Sequence, residues 1–435
     1  MPSACVSPPF VSIGSVTVTR LGVQEASAHM LVGVHPLDSE AVPLEQAAGR
    51  VLARDVVSPV FLPPHDNSSM DGFAAHADDV RGSTSERPSR LHIIGTIAAG
   101  SAPTRALAHG EAARIMTGAY LPPGADSVIR VEDTIVEADR VSVLDDRDAG
   151  RNIRRRGEDV RADQVVMRAG TAIAAPHVGV LASVGCAEPP VPRRPRVAIL
   201  ATGDELVTLD RFDEVRSGTR IVSSNSYALA AAVRAAGGEP VPLGIAPDDP
   251  SALAARLREA EGCDLVLTSG GVSVGDFDYT RRVIAELDGT LSLWRVRMRP
   301  GAPLGFGRVF GVPWLGLPGN PVSALVTFEL FGRPLIRTLA GHARPHRRTI
   351  GVTLGDPVHL GAPLTHFLRA VLDSDASDVP VARLTGAQSS GMLTSMSAAE
   401  VLLIVPPDLL DVPAGAALRA LPLDGDLGGS DRFLS

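Results

Sequence analysis

The apolar positions of this chain follow three patterns, and the pattern changes at two places. Between residues 196 and 340, short unbroken apolar runs alternate with helical stretches. Arg196–Thr202 (RVAILAT), Glu239–Ile245, Asp264–Thr268 and Pro313–Leu317 read as strands buried on both faces. Ser224–Ala236, Asp248–Glu261, Tyr279–Leu287 and Pro321–Ala340 read as helices between and after them. Asp249 at a cap position and Pro250 in the first turn mark one helix start, and Gly237-Gly238 marks a helix end. This βαβ alternation predicts a doubly wound, mostly parallel sheet covered on both faces.

Upstream, residues 58–150 are dominated by short β-type runs and turns. They include Leu91–Ile97, Ser127–Val131 and Arg140–Leu144, with Asp78–Arg90 as a polar connecting loop. Residues 24–34 and Val42–Ala53 have helical spacing, as does Ala175–Val184. Pro189, Pro190, Pro192 and Pro195 form a stiff stretch that predicts a boundary. Downstream, Thr349–Leu354, Val379–Leu384, Ala399–Val405 and Ala417–Leu421 predict a small β domain, with a frayed end from about Asp424. Residues 1–18 carry no clear pattern. A discontinuous linking domain (19–57 and 151–190), a β-rich domain (58–150), an α/β domain (191–341) and a C-terminal β domain (342–425) follow as the expected organisation. A chain of 435 residues is too long for one core.

Composition narrows the chemistry. The net charge of −8 argues against general nucleic-acid binding. All 41 basic residues are arginine, which excludes lysine Schiff-base chemistry and a lysine P-loop. The three cysteines lie far apart, so neither a disulfide framework nor a zinc site is expected. No apolar run is long enough for a membrane helix, and no signal-peptide pattern opens the chain. A cytoplasmic protein is expected.

Candidate chemistry concentrates in turns dense with polar groups. Asp66–Gly72 (DNSSMDG) packs two carboxylates, an amide and two hydroxyls into seven residues. Ser269–Gly275 (SGGVSVG) lies between a strand and a helix, where it reads as a phosphate cradle or as a plain tight turn. Asp276 and Asp278 beside it suit magnesium with phosphate, or simply cap the helix. Asp204 and Glu205 follow a strand end, the usual ligand edge of such sheets. Arg154, Arg155 and Arg156 lie beside Glu158 and Asp159, as an oxyanion fork or as mutual ion pairs. Arg295, Arg297 and Arg299 alternate with apolar residues and share one face if the segment is a strand. Gly316–Pro321 (GLPGNP) forces a turn between strand and helix.

These segments together resemble the molybdopterin molybdenumtransferase family, whose eukaryotic relative is the E domain of gephyrin. The resemblance rests on DNSSMDGFA at 66–74, RIMTGAYLPPGAD at 114–126, RRRGEDV at 154–160, ATGDEL at 201–206, SGGVSVGDFDYT at 269–280, MRPGAP at 298–303 and GLPGNPVSA at 316–324, all in family order. It implies an elongated homodimer of four-domain subunits, with sites formed between the α/β domain of one copy and the β-rich domain of the other. It implies that molybdate and adenylylated molybdopterin are substrates, used with Mg2+ and with release of AMP. The catalytic set it implies is Asp71, Thr117, Asp159, Glu205, Asp248 and Asp278, of which Asp71, Asp248 and Asp278 are the magnesium candidates. The substrate-binding set is Ser269, Gly270, Gly271, Ser273, Gly275, Arg295, Arg299, Pro318 and Pro321. Relatives often have lysine where Arg295 and Arg299 stand, and Ala302 replaces a family lysine outright. Two other readings are a molybdopterin adenylyltransferase, which shares the α/β domain, and a non-catalytic cofactor carrier or scaffold. Contacts with an adenylyltransferase and with recipient molybdoenzymes fit the first reading.

Overall fold

A computed structural model describes residues 21–271, 277–373 and 379–423, leaving aside the side chains of 277–279, 281 and 294. The chain opens with helix α1 (Val23–Leu31). The sequence groups this stretch with the linking unit, but α1 packs on the α/β layer instead. Ala26 and Met30 are buried there in one cluster with Phe306, Phe331 and Leu339. Burying a methionine of this kind contributes about 1.5–3 kcal/mol.

Residues 42–53 do not form the helix that their spacing predicts. One 3-10 turn, Leu44–Gln46, is followed by turns and irregular chain with an isolated bridge at Val51. The backbone groups bond across to the other half of the unit: Gly49 N–H to Ile173 O, Leu52 N–H to Thr171 O and Ala53 N–H to Pro190 O. Helix α2 (Ala175–Ser183) covers this surface, and the shared core runs from Val42 through Leu181 to Val191. The proline-rich stretch is likewise not a free linker. Pro190–Pro192 pairs with Ser39–Ala41, and Arg193 grips Asp264 with two bonds of 2.7 and 2.6 Å.

The β-rich unit is one six-stranded sheet: β1 (Gly72–Ala75), β2 (Ser89–Ile97), β3 (Glu111–Ile115), β4 (Ser127–Arg130), β5 (Thr134–Glu137) and β6 (Arg140–Val143). Their order is β4-β1-β3-β2-β6-β5, antiparallel except for β2 with β3. Gly72 has to be glycine because a Cβ there would lie 2.0 Å from Ile129 O.

The α/β layer holds β7 (Arg196–Thr202), β8 (Glu239–Ala246), β9 (Leu265–Ser269), β10 (Thr290–Trp294), β11 (Gly305–Val309) and β12 (Val312–Leu317) in the order β8-β7-β9-β12-β11-β10. The first four are parallel, and β11 and β10 extend the sheet antiparallel. Residues 197–202 of β7 and all of β9 are buried, as parallel strands with covered faces require. Helices α3 (Ser224–Ala235), α4 (Pro250–Arg258), α5 (Phe277–Glu286), α6 (Pro321–Thr327) and α7 (Arg333–Leu339) cover it. Asp249 caps α4 by accepting from Ala252 N–H at 2.8 Å. The single helix predicted over 321–340 is interrupted by a wider π turn at Phe328–Gly332. Pro334 just beyond has no N–H to continue the ladder.

The C-terminal unit closes on itself. Its strands are β13 (Ile350–Leu354), β14 (Thr365–Asp373), β15 (Val381–Leu384), β16 (Val401–Val405) and β17 (Ala417–Pro422). They run β14-β15-β13-β17-β16, and β16 pairs back to β14. Met298–Arg299 joins this barrel by pairing with Thr365 and His366 of β14. A segment of the α/β unit is thereby stitched into the C-terminal one.

Candidate functional site

The carboxyl ends of β7, β9 and β12 bring three loops together. Gly203, after β7, has φ +148, and a Cβ there would strike the Glu205 carboxylate at 2.6 Å. Gly270 (φ +97) and Gly271 (φ +66), after β9, hold left-handed backbone that other residues rarely adopt. A Cβ on Gly270 would lie 2.5 Å from Thr202 O and 2.7 Å from Thr202 Oγ1. Gly319, after β12, approaches the Gly270 Cα.

Three side chains pin these loops, and sequence reasoning singled out only one of them. Asn225, at the start of α3, donates to Ser269 Oγ (2.7 Å) and to Gly319 O (2.8 Å). Thr280, in α5, donates to Gly271 O. Ser269 Oγ donates to Pro318 O at 3.4 Å. The run Ser223-Ser224-Asn225-Ser226, unusually polar for a helix start against a buried sheet, was the signal available for Asn225. Among the described residues, Thr202 Oγ1 and Trp314 Nε1 are buried without a hydrogen-bond partner, and both residues line a cavity of about 10 Å3 under the glycine loop. That is room for about one water molecule.

Acids stand at the same edge. Asp204 and Asp248 exchange backbone bonds: Asp248 N–H donates to Asp204 Oδ1 (3.2 Å) and Asp204 N–H to Asp248 Oδ2 (3.4 Å). Glu205 is exposed beside them. Asp278 occupies the first turn of α5, its side chain outside the description, and Ser273 and Gly275 lie outside the described residues. Pro318 is buried behind the edge, and Pro321 opens α6. Among the described residues no three His, Cys, Asp or Glu side chains cluster to hold a metal ion.

Asp71 and Thr117 sit elsewhere in the chain, on the β-rich unit. The Asp71 carboxylate accepts from Thr117 N–H (2.7 Å) and from its hydroxyl (2.8 Å). These two bonds, the N–H first, hold the Asp71 carboxyl below its ordinary value, and it faces solvent. Asp159 is exposed in the segment that pairs with Leu62, its N–H donating to Leu62 O. Among the described residues, no hydrogen bond or ion pair joins Asp71 or Thr117 to the α/β layer. The arginine triplet is partly committed to structure. Arg155 pairs with Asp66 (2.8 Å), whose other oxygen accepts from Arg156 N–H, and the Arg156 guanidinium lies 3.9 Å over the Phe61 ring.

The expected common strand face of Arg295, Arg297 and Arg299 is not present as one strand. β10 stops at Trp294, and Arg295 has φ +120. Val296 and Met298 are still buried, so the arginines remain outward. Of the three, Arg299 lines a groove of about 720 Å3 between the α/β layer and the barrel. Asn320, Ser323, His359, His366 and Ser390 line it too, as does Ala302. Its size is that of a ligand pocket. The GLPGNP turn joins the two places: Gly319 abuts the glycine loop while Asn320 faces the groove. Sequence reasoning gave the barrel no site residue, because its contributions are isolated histidines and serines without a motif.

The chain matches three family models: "MoeA N-terminal region (domain I and II)" over residues 21–185, "Probable molybdopterin binding domain" over 198–338 and "MoeA C-terminal region (domain IV)" over 351–423. A Mycobacterium tuberculosis protein named molybdopterin molybdenumtransferase 2 is 39% identical over 406 residues, covering 92% of this chain and 98% of the relative. The chain belongs to the molybdopterin molybdenumtransferase family. A Nostoc member is 38% identical, with 89% of each chain covered. The crystal structure of a molybdopterin biosynthesis moeA protein from Pyrococcus horikoshii superimposes with a TM-score of 0.81 at 28% identity, over 93% of this chain and all of that one. The family models thus cover all four structural units, including the barrel whose groove Arg299 lines.

Proposed function

We propose that this protein inserts molybdenum from molybdate into adenylylated molybdopterin, releasing AMP, late in molybdenum-cofactor synthesis in the cytoplasm. The observation that carries the reading is the strand-end edge, where glycines at positive φ, pinned by Asn225 and Thr280, adjoin Glu205, Asp204 and Asp248. Such an edge suits a nucleotide-linked phosphoanhydride, with backbone close to the phosphates and acids beside them. The groove that continues past Asn320 has room for the pterin, and Arg299 there offers a planar fork to an oxyanion.

The donor set fits magnesium. Mg2+ commonly takes one or two carboxylates and completes its shell with water and substrate phosphate, so a cage of three acids is not required. Asp248, with Asp278 at the start of α5, would hold it at the strand edge. Bound there, it would offset the charge of the phosphoanhydride. The chain's own residues do the rest. The glycine loop fixes the phosphates, Glu205 places a carboxylate at the reacting end, and Arg299 holds the tetrahedral dianion. Asp71, kept ionised by Thr117, is supplied by a second copy, since among the described residues of one chain no hydrogen bond or ion pair joins it to this edge. The proposed assembly is therefore a homodimer with shared sites. Contacts with an adenylyltransferase that supplies the substrate, and with enzymes that receive the cofactor, belong to the same proposal.

The test is to supply purified protein with adenylylated molybdopterin, Mg2+ and molybdate and to measure AMP. Molybdate-dependent AMP release, strongly reduced in Asp71→Ala and Asp278→Ala, is expected. Binding without AMP release would replace this reading with that of a carrier. Pyrophosphate release from ATP and molybdopterin would replace it with adenylylation.

A further inference from the structure

Another concentration of charge lies where α7 leads into the barrel. Glu329, in the π turn, and Arg333 and Arg337, four and eight residues on, share one side of the helix with Arg347 from the following connection. Arg347 Nε lies 2.6 Å from Glu329 Oε1, and Arg333 Nε lies 3.6 Å from the same oxygen. Arg333 Nη1 donates to Pro345 O at 3.2 Å. Arg337 Nη2 donates to His342 Nδ1 at 3.0 Å, which requires that nitrogen of His342 to be unprotonated. Arg337 Nε is buried with no hydrogen-bond partner among the described residues.

The charges do not balance. Among the described residues, Glu329 is the one carboxylate acting on Arg333 and Arg337. Burial, then the neighbouring Arg337 and Arg333, pushes His342 down to about 4, so it is neutral and adds nothing of either sign. A local excess of two positive charges remains on half-buried guanidinium groups. Charges withdrawn from water are normally paired, and an orphaned donor on a cation is costly. The connection carrying this excess also touches the linking unit: a Cβ on Gly170 would meet Ala343, and one on Gly341 would meet Pro192.

We propose that Arg333, Arg337 and Arg347 form a binding site for one small tetrahedral oxyanion of the phosphate or sulfate class, at the joint between the α/β layer, the linking unit and the barrel. Three guanidinium groups supply forked donors suited to such an ion, and Arg337 Nε supplies a donor that no described residue uses. Occupation neutralises the excess and holds the 341–348 connection, and with it the barrel that walls the groove. The site is independent of the proposed activity.

The test titrates inorganic phosphate into the full-length protein by calorimetry, at constant ionic strength set with chloride. Arg299→Ala is run in parallel, because the groove is a rival oxyanion site. One saturable event per chain that persists in Arg299→Ala is expected. It should weaken at least tenfold in Arg337→Met and in Arg347→Met, and tighten in Glu329→Gln, which removes the competing carboxylate. A matching titration with AMP distinguishes a free ion from a phosphate ester; in either case the dependence on Arg337 must hold. No binding by the wild-type chain overturns the proposal. So does binding that both arginine variants leave unchanged, or binding that disappears in Arg299→Ala.

Discussion

Replacing Gly270 by alanine tests the strand-end loop most sharply. Gly270 sits at φ +97, where an L side chain costs about 1–3 kcal/mol. The new Cβ would also lie 2.5 Å from Thr202 O and 2.7 Å from Thr202 Oγ1. Ordinary contact distances are about 3.5 Å, so the loop has to retreat by roughly 1 Å. Overpacking of this kind costs about 1–3 kcal/mol more. Gly244 is the matched control: its φ is +81, and a Cβ there meets nothing within 4 Å. Both variants therefore carry the backbone penalty, and only Gly270→Ala carries the clash. Denaturant unfolding should rank Gly270→Ala below Gly244→Ala by about 1–3 kcal/mol. A 1 Å displacement of a positioning group can cost about a hundredfold in rate. The kcat/KM for AMP release should accordingly fall by about that factor in Gly270→Ala and stay near the wild-type value in Gly244→Ala. Wild-type kcat/KM in a folded Gly270→Ala protein would refute the role given to this loop.

The DNSSMDG turn separates structure from chemistry in adjacent residues. Gly72→Ala, with its Cβ 2.0 Å from Ile129 O, should unfold the β-rich sheet, whereas Asp71→Ala, which loses only its two bonds to Thr117, should stay folded by circular dichroism while AMP release is strongly reduced. Thr117→Ala removes the hydroxyl bond but keeps the stronger N–H bond to Asp71, so the acid limb of the pH–rate profile should move up while activity survives. Burial acts to raise the Asp148 carboxyl, but its bonds to the Arg130 side chain and N–H outweigh that and take it down to about 2. A lowered folded-state value gives stability that is present above the unfolded value, near 4, and lost as pH falls through about 2. Asp148→Asn should remove about 1–2 kcal/mol of that, discounted because Arg130 is partly exposed, as read by hydrogen exchange in β4.

The α/β layer was legible because its strands are unbroken apolar runs punctuated by Gly, Asp and Pro, signals that act locally. Asp249 capping α4 is such a case. The antiparallel strands β10 and β11 and the barrel strand β14 were not legible. THFLRAVLD has neither alternation nor turn residues inside it, and it becomes a strand by pairing with β15 and β16. Residues 42–53 misled for the reverse reason. Their spacing is helical, but their backbone donors find partners more than a hundred residues away. The motif acids and glycines could be picked from the sequence. Asn225 left only the faint trace of a polar helix start, and Thr280 and the groove-lining His359 and His366 left none, because each matters only through a loop or unit brought beside it by folding.

The proposed site has two halves that would meet only between copies. Asp71→Ala and Glu205→Ala proteins, each inactive alone, should be mixed, unfolded and refolded together, and assayed for AMP release. An isologous pair with shared sites regenerates one intact site in each mixed dimer, so random assembly predicts recovery of about a quarter of wild-type activity. Continued inactivity of the mixture, with mixed dimers demonstrably present, would contradict a site built from two chains.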